Sequence, residues 1–155
     1  MDSPQNNIWG PNLWTILHSA AERIGSKDLK RLPLEEKRLW LGLLGSLRYS
    51  LPCPLCKRHY TNYLNTTPIT AISCDLVRQW LYNLHIQVNT LTGKSNTITI
   101  EQISELYGKP FCFSHHFTIV VDHMKRALKL GWNSREDIQR TLRYLEELKR
   151  FYDFF

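Results

Sequence analysis

Apolar residues recur at helical spacing along nearly the whole chain, and this pattern constrains the fold more than any other feature. Glycines and prolines interrupt it where helices are expected to end, at Gly25, Pro52, Pro68 and Gly93. The pattern predicts four helices between residues 13 and 91. Their stripes are Leu13, Ile16, Leu17, Ala20 and Ile24; Leu39, Trp40, Leu43, Leu44, Leu47 and Leu51; Leu55, His59, Tyr60, Tyr63 and Leu64; and Val77, Trp80, Leu81, Leu84, Val88 and Leu91.

The segment after the fourth stripe predicts a loop and then a short helix. Residues 92–98 are typical of a loop, and Thr99 is followed by Gln102 at the spacing of a capping box. We therefore expect a helix that begins after Thr99 and ends at Gly108. A short strand over residues 97–100 is the alternative.

Two longer helices are predicted in the C-terminal part of the chain. Residues 117–130 are apolar on one face and are followed by Gly131, and Ser134 is typical of a helix start. The stripe of the last helix consists of Ile138, Leu142, Leu145, Leu148 and Tyr152. The predicted fold class is therefore all-α, as a helical bundle in a single domain that spans residues 1–155.

Size and composition allow this bundle to be stable without cross-links. The chain has 155 residues, of which 43% are hydrophobic, and a chain of this size can bury a sizeable core. Its four cysteines, Cys53, Cys56, Cys74 and Cys112, are therefore free to serve chemistry rather than structure.

Charge and hydropathy argue against several function classes. The net charge is +6, but the basic residues are scattered and form no recognition motif, so we predict no nucleic-acid partner. The most apolar stretch, residues 39–47, is too short to span a bilayer. Residues 1–7 are polar and carry no signal peptide. We therefore expect a cytoplasmic protein with no membrane partner.

The pair Cys53-Pro-Leu-Cys56 is the leading candidate for chemistry. Cysteines at this spacing serve as redox couples or as zinc ligands. Pro52 ends one helix and Pro54 suits the first turn of the next, which puts Cys53 near an N-cap. The positive end of the helix dipole there favours a thiolate. A redox couple, a zinc site and a pair of inert buried thiols all stay open at this point.

Zinc is the main alternative to redox chemistry. Cys112 and His115 form a second pair that could complete a tetrahedral site with Cys53 and Cys56. The two pairs lie much farther apart in the sequence than the ligand pairs of a zinc finger. The alternative reading is thus a zinc-stabilised helical interaction module.

Two flanking segments favour a planar ligand beside the cysteines. Trp14 and His18 are four residues apart and share a helix face, and His85 and Asn89 have the same relation on another helix. Aromatic, imidazole and amide groups together suit a flat heteroaromatic ring with a polar rim. The chain lacks the glycine-rich motifs of Rossmann and P-loop phosphate sites.

At these positions the chain resembles the Erv / augmenter-of-liver-regeneration family of FAD-linked sulfhydryl oxidases. The shared pattern is W-G-x-x-x-W-x-x-L-H, then P-C-x-x-C, then W-x-x-x-x-H-N-x-V-N-x-x-x-G-K. Order and spacing agree over residues 9–94. The matching positions are Trp9, Gly10, Trp14, Leu17 and His18; Pro52, Cys53 and Cys56; and Trp80, His85, Val88, Asn89, Gly93 and Lys94.

The resemblance implies a four-helix bundle of the Erv type that holds FAD, with additional C-terminal helices, in a homodimer. It implies an FAD-binding core at residues 8–98 and a helical extension at residues 99–155. The implied activity is oxidation of thiol-containing client proteins, with electrons passing through FAD to O₂ to give H₂O₂. Short members of this kind resemble those of large DNA viruses, which implies action in the host cytoplasm or the virion.

The resemblance also implies roles for individual residues. Cys53 would exchange with client thiols, and Cys56 would pass electrons to FAD. Lys94 would neutralise the cofactor's phosphates, and no metal is expected. The implied cofactor-binding positions are Gly10, Asn12, Trp14, His18, Tyr82, His85, Val88, Asn89 and Lys94.

The chain departs from the family pattern in three places. Ile86 replaces the Asn of H-N-x-V-N, so that cofactor contact is expected to be lost or made by backbone. Tyr82 stands where many members begin a structural disulfide, which leaves Cys74 and Cys112 as a shuttle pair or as free thiols. The aromatic residues of 151–155 are predicted to be exposed and to form a dimer contact or dock a partner.

Overall fold

A computed structural model describes residues 2–26 and 32–155, and within these ranges the chain forms seven α-helices and no strand. This confirms the predicted all-α fold, and the alternative strand over residues 97–100 does not form. No helix within the described ranges has the length and apolarity needed to cross a bilayer. The helices are α1 (Asn6–Ala21), α2 (Leu32–Ser50), α3 (Pro54–Thr66), α4 (Cys74–Leu91), α5 (Ile100–Tyr107), α6 (Phe113–Lys129) and α7 (Arg135–Phe151).

Side-chain caps explain where the C-terminal helices begin. Thr99 Oγ1 accepts a hydrogen bond from the backbone N–H of Gln102, and the Gln102 side chain accepts one from the Thr99 N–H. The predicted capping box of α5 is therefore present. Ser134 caps α7 by accepting from the backbone N–H of Asp137. A cap of this kind contributes about 1 kcal/mol to stability.

Two helices differ from their predicted bounds. α1 begins at Asn6 and ends at Ala21, and Gly25, with a left-handed φ of 83°, closes the turn that follows. α6 begins at Phe113, one turn earlier than predicted, and Phe113 is fully buried. The polar residues 114–116 in that first turn interrupt the apolar pattern, so periodicity misses the start of this helix.

The two long C-terminal helices pack on the first two helices of the chain. α7 lies along α2 and α6 lies along α1, and these are the most extensive helix pairings among the described residues. Phe113, Met124 and Leu145 are fully buried in the same core as Ile16 and Leu43. Because burying such a side chain stabilises a protein by roughly 1.5–3 kcal/mol, α6 and α7 are integral to this core.

The terminal aromatic residues are mostly covered, which corrects the prediction that they are exposed. Tyr152 is buried, and its hydroxyl accepts a hydrogen bond from Trp40 Nε1 and donates one to Glu36 Oε2. Phe154 packs against the core, whereas Phe155 is 71% exposed. The tail thus closes the junction between α2 and α7, and its part in a dimer stays a prediction.

Candidate active site

The CxxC pair forms a disulfide at the N-terminus of α3. The Cα atoms of Cys53 and Cys56 are 5.1 Å apart, and Cys53 is the N-cap, as predicted. Cys53 Sγ accepts hydrogen bonds from the Cys56 backbone N–H at 3.1 Å and from the Asn6 side-chain amide at 3.5 Å. The Trp9 indole holds Asn6 by donating to its Oδ1 at 3.0 Å. Two donors and the helix dipole are therefore placed to stabilise a thiolate at Cys53 when the disulfide is reduced.

Two tyrosines hold α3, and with it the disulfide, against the neighbouring helices. The Tyr60 hydroxyl donates to the Leu44 carbonyl on α2, and the Tyr63 hydroxyl donates to the Trp80 carbonyl on α4 at 2.8 Å. Burial raises the pKa of Tyr60, and it raises the pKa of Tyr63 to about 12. Both hydroxyls therefore stay protonated and keep donating.

An aromatic stack lies where α1 meets α4 and α5. The Trp14 ring lies on the His85 ring with centroids 4.1 Å apart and planes 5° apart. His18 stacks against His85 with centroids 5.3 Å apart, and against Tyr107 of α5 at 4.8 Å. The structure thus brings together three of the predicted cofactor-binding residues and offers flat faces of the kind that bind planar rings.

Both histidines of the stack are neutral near neutral pH. Burial, with a smaller contribution from His85, lowers the pKa of His18 to about 3. Burial, with a smaller contribution from Lys94, lowers the pKa of His85 to about 4. His18 Nε2 and His85 Nδ1 share a hydrogen bond of 3.0 Å, whereas His18 Nδ1 is buried without a partner in the described part of the chain. Leaving such an atom unpaired costs about 1–3 kcal/mol, so it marks where a polar group of a ligand fits.

The other predicted cofactor-binding positions lie outside the stack. The Asn12 side chain lies 2.7 Å from His116 Nδ1 on α6, and the Tyr82 hydroxyl donates to the Ile98 carbonyl at 2.7 Å. Their roles in cofactor binding stay predictions, as do those of the remaining positions. These are Gly10 on α1, Val88 and Asn89 near the end of α4, and the exposed Lys94 just beyond it.

The sequence patterns miss two residues of this region, Tyr107 and Asn6. Tyr107 is held in place by Arg23, which donates to the Tyr107 carbonyl at 2.7 Å and to the Ser19 carbonyl at 2.8 Å. Directly after Tyr107, Gly108 and Lys109 repeat the Gly-Lys of the family pattern, and this repeat could have drawn attention to Tyr107. No pattern pointed to Asn6.

Comparison of the amino-acid sequence with known protein families identifies the family. The sequence model of the Erv1 / Alr family matches residues 11–108, which covers the disulfide, the aromatic stack and α5. The chain belongs to the Erv1 / Alr family. α6 and α7 lie outside the matched region. No solved structure gives a significant match.

Individual relatives of this family member come from viruses and from a plant. A frog virus 3 protein, provisionally named an FAD-linked sulfhydryl oxidase, is 30% identical over 64% of this chain and 66% of its own length. An FAD-linked sulfhydryl oxidase of African swine fever virus is 30% identical over 56% of this chain and 69% of its own length. The Arabidopsis thaliana FAD-linked sulfhydryl oxidase ERV1 is 29% identical over 66% of this chain. The match spans only 51% of that plant protein.

The predicted zinc ligands do not come together in the described part of the chain. Within residues 2–26 and 32–155, no three or more His, Cys, Asp and Glu side chains group in a way that could hold a metal ion. Cys112 is exposed beside the terminal Phe155 carbonyl, 3.7 Å from its Sγ. Cys74 is half-buried, its Sγ lies 3.4 Å from the Ala21 carbonyl, and burial raises its pKa. Both are free thiols and are not bonded as a shuttle pair.

Proposed function

We propose that this chain is an FAD-dependent thiol oxidase that forms disulfide bonds in thiol-containing client proteins. The observation that carries the proposal is the Cys53–Cys56 disulfide at the capped N-terminus of α3. The names of the relatives support the same activity. The chain spans about half to two thirds of the length of the first relatives it matches, so the activity rests on this site rather than on the names alone.

The residues of the aromatic stack fit FAD. Trp14, His18, His85 and Tyr107 present ring faces, and His18 Nδ1 offers a buried polar atom that has no protein partner in the described residues. Lys94 would neutralise the phosphates. When bound, FAD supplies a two-electron acceptor for the dithiol of the CxxC pair. Gly10, Asn12, Tyr82, Val88 and Asn89 complete the proposed binding set.

The CxxC pair takes electrons from the client by thiol–disulfide exchange. A client thiolate attacks Cys53 Sγ, which forms a mixed disulfide and releases Cys56 as a thiolate. The second client thiolate then attacks the client sulfur of the mixed disulfide and releases Cys53 as a thiolate. The client leaves with a disulfide, two electrons stay on the enzyme as its dithiol, and solvent exchanges the protons. The Cys56 N–H and the Asn6 amide stabilise the Cys53 leaving group.

We extend the proposal to the final acceptor and the setting of the reaction. O₂ accepts the electrons and yields H₂O₂, and the enzyme works as a homodimer. Relatives in frog virus 3 and African swine fever virus support an origin in a large DNA virus. Action in the host cytoplasm or the virion follows from that origin.

Visible absorption tests the proposed function most directly. The protein is incubated with FAD, freed of excess cofactor, and measured before and after addition of dithiothreitol. We expect a flavin band that bleaches with the dithiol and recovers in air, with H₂O₂ formed as O₂ is consumed. A protein that stays colourless after incubation with FAD would overturn the proposal.

A further inference from the structure

A cleft of about 340 Å³ lies beside the helix that carries the disulfide. The end of α2 supplies Arg48 and Tyr49 to its walls, and the second turn of α3 supplies Arg58. The third wall is the segment before α7, which supplies Trp132 and Asn133. This volume falls at the lower end of the range for ligand pockets and suits a few side chains of a peptide segment.

Hydrogen bonds connect the cleft to the CxxC turn. The Asn133 side-chain amide donates to the carbonyls of Ser50 and Leu51, both at 3.1 Å, just before Cys53. The Lys57 ammonium donates to Asn133 Oδ1 and to the Trp132 carbonyl, and the Lys57 backbone N–H donates to the Cys53 carbonyl at 2.9 Å. A chain segment in the cleft would therefore lie close to the reactive disulfide.

The charge of the cleft is predominantly positive. Arg48, Lys57 and Arg58 line it, against a single carboxylate, Asp137, which already pairs with Arg140 at 3.4 Å. Within residues 2–26 and 32–155, neither Arg48 nor Arg58 has an acidic partner, and the buried Arg48 Nε lacks any hydrogen-bond partner. Arg48 is half-buried and Arg58 is exposed, so an anionic partner can reach both guanidinium groups. Such a partner would compensate for the hydration that the buried Arg48 Nε has lost.

The cleft also presents two flat, partly exposed rings. Tyr49 is 48% exposed and Trp132 is 38% exposed, and the Arg48 guanidinium lies 5.2 Å from the centre of the Tyr49 ring. Exposed Tyr, Trp and Arg side chains are enriched at protein interaction sites. Cations beside aromatic rings thus suit a peptide segment that carries carboxylates.

We infer that this cleft binds an acidic segment of the client protein next to its reactive cysteines. The inference rests on the proposed thiol oxidase function and names the substrate class: client proteins with Asp or Glu beside the thiol pair. Trp132, Asn133 and Asp137 lie beyond the part of the chain matched by the family, residues 11–108. The extension therefore adds one wall of a specificity cleft to the redox core that the family model matches.

Two dithiol peptides of equal length test the inference, one with glutamates and one with lysines on both sides of the cysteines. We expect the KM for the acidic peptide to be about tenfold lower, with the difference shrinking at high salt because the contacts are charge pairs. Arg58→Glu should raise the KM for the acidic peptide about tenfold, since it opposes like charges. Oxidation of dithiothreitol should stay unchanged. Lys125→Glu, an exposed change of equal charge on α6, is the matched control.

The outcomes separate this inference from the proposed function. Normal oxidation of dithiothreitol with equal KM values for the two peptides would overturn the proposed role of the cleft and leave the thiol oxidase function intact. Equal effects of Arg58→Glu and Lys125→Glu would overturn it as well. If dithiothreitol is not oxidised, the proposed function fails. Binding of fluorescent peptides with serines in place of cysteines then tests whether the cleft binds acidic segments. Binding of the acidic form weakened by Arg58→Glu would support it, and absence of binding would overturn it.

Discussion

The contact between α1 and α4 differs from the contact of Tyr152 with α2 in how its buried polar atoms are paired. Between α1 and α4, His18 and His85 share one hydrogen bond, and His18 Nδ1 is buried without a partner among the described residues. Their rings stack with Trp14 and Tyr107. This contact therefore contains a hydrogen-bonding atom that no described residue of the protein pairs with.

Where Tyr152, just after α7, contacts α2, the buried polar groups form a chain of hydrogen bonds. Trp40 Nε1 donates to the Tyr152 hydroxyl at 2.9 Å, and that hydroxyl donates to Glu36. Glu36 also accepts from the Gly25 backbone N–H at 3.2 Å. Burial, and then the bond to Glu36, raise the pKa of Tyr152, so it remains a donor.

This difference distinguishes a candidate ligand-binding site from a contact that only stabilises the fold. Folded proteins pair nearly all their buried polar groups, and exceptions concentrate where a ligand supplies the missing partner. We therefore propose cofactor binding for the α1–α4 contact and a stabilising role for the contact of Tyr152 with α2. The following predictions test that assignment, from the largest expected effect to the smallest.

Cys56→Ser should abolish turnover and spare the cofactor site. Without its second sulfur the CxxC pair cannot form a disulfide, so thiol oxidation should fall by about 10³-fold or more. The flavin band should persist, because the stack of Trp14, His18 and His85 is untouched. Oxygen consumption with dithiothreitol measures turnover, and Cys112→Ser, which removes an exposed free thiol, is the control. Turnover near that of the control would contradict the assigned role of Cys56.

Tyr152→Phe should lower stability and spare the chemistry. The change removes the hydroxyl that pairs Trp40 with Glu36 and leaves both groups buried, which costs about 1–3 kcal/mol. Urea unfolding measures the loss, and turnover per folded molecule should match that of the unaltered protein. Tyr49→Phe, at an exposed tyrosine, should change the unfolding free energy by about 0.5 kcal/mol or less. Equal losses of unfolding free energy in the two variants would show that the Tyr152 hydroxyl does not stabilise the contact with α2.

Acid should destabilise the protein through the stacked histidines. Their pKa values fall from 6.5 to about 3 for His18 and about 4 for His85, so below pH 6.5 the unfolded chain binds more protons than the folded one. The contribution of the two neutral histidines to the free energy of unfolding is therefore complete above pH 6.5 and declines as the pH falls towards 4. One fully differential proton contributes about 1.4 kcal/mol per pH unit, and the more exposed His85 contributes less.

Unfolding free energies measured across that pH window check the histidine prediction. His18→Gln should reduce the slope of unfolding free energy against pH below 6.5, because glutamine does not take up a proton on unfolding. His115→Gln, at an exposed histidine of α6, should leave that slope steep. Parallel profiles for His18→Gln and the unaltered protein would show that the buried ring does not set the acid response.

Asn6→Ala should have the smallest effect, at the thiolate itself. Loss of the amide donor to Cys53 Sγ removes a hydrogen bond of about 0.5–1.5 kcal/mol, which raises the thiol pKa by up to about one unit. The pH dependence of alkylation of the reduced protein measures that shift. Asn7→Ala, at the next position of the same helix, is the control. Identical alkylation profiles for the two variants would mean that Asn6 does not stabilise the thiolate.

The sequence determined the features that depend on residues a few positions apart. The cap of α3 at Cys53, the capping box of Thr99 and Gln102, and the cap at Ser134 each involve backbone and side chain within one turn. The facing pair of Trp14 and His18 follows from helix periodicity in the same way. Such features can be predicted from the sequence because local backbone geometry alone determines them.

Only the tertiary structure decided which distant surfaces meet. Tyr107 joins the stack and Asn133 closes the turn before Cys53 across separations that periodicity does not encode. The same holds for the tail, where Tyr152 belongs to the apolar stripe of the last helix, but the stripe does not show that α2 covers it. An apolar stripe states that a helix face is covered, but the shape and polarity of the opposing helix decide what covers it.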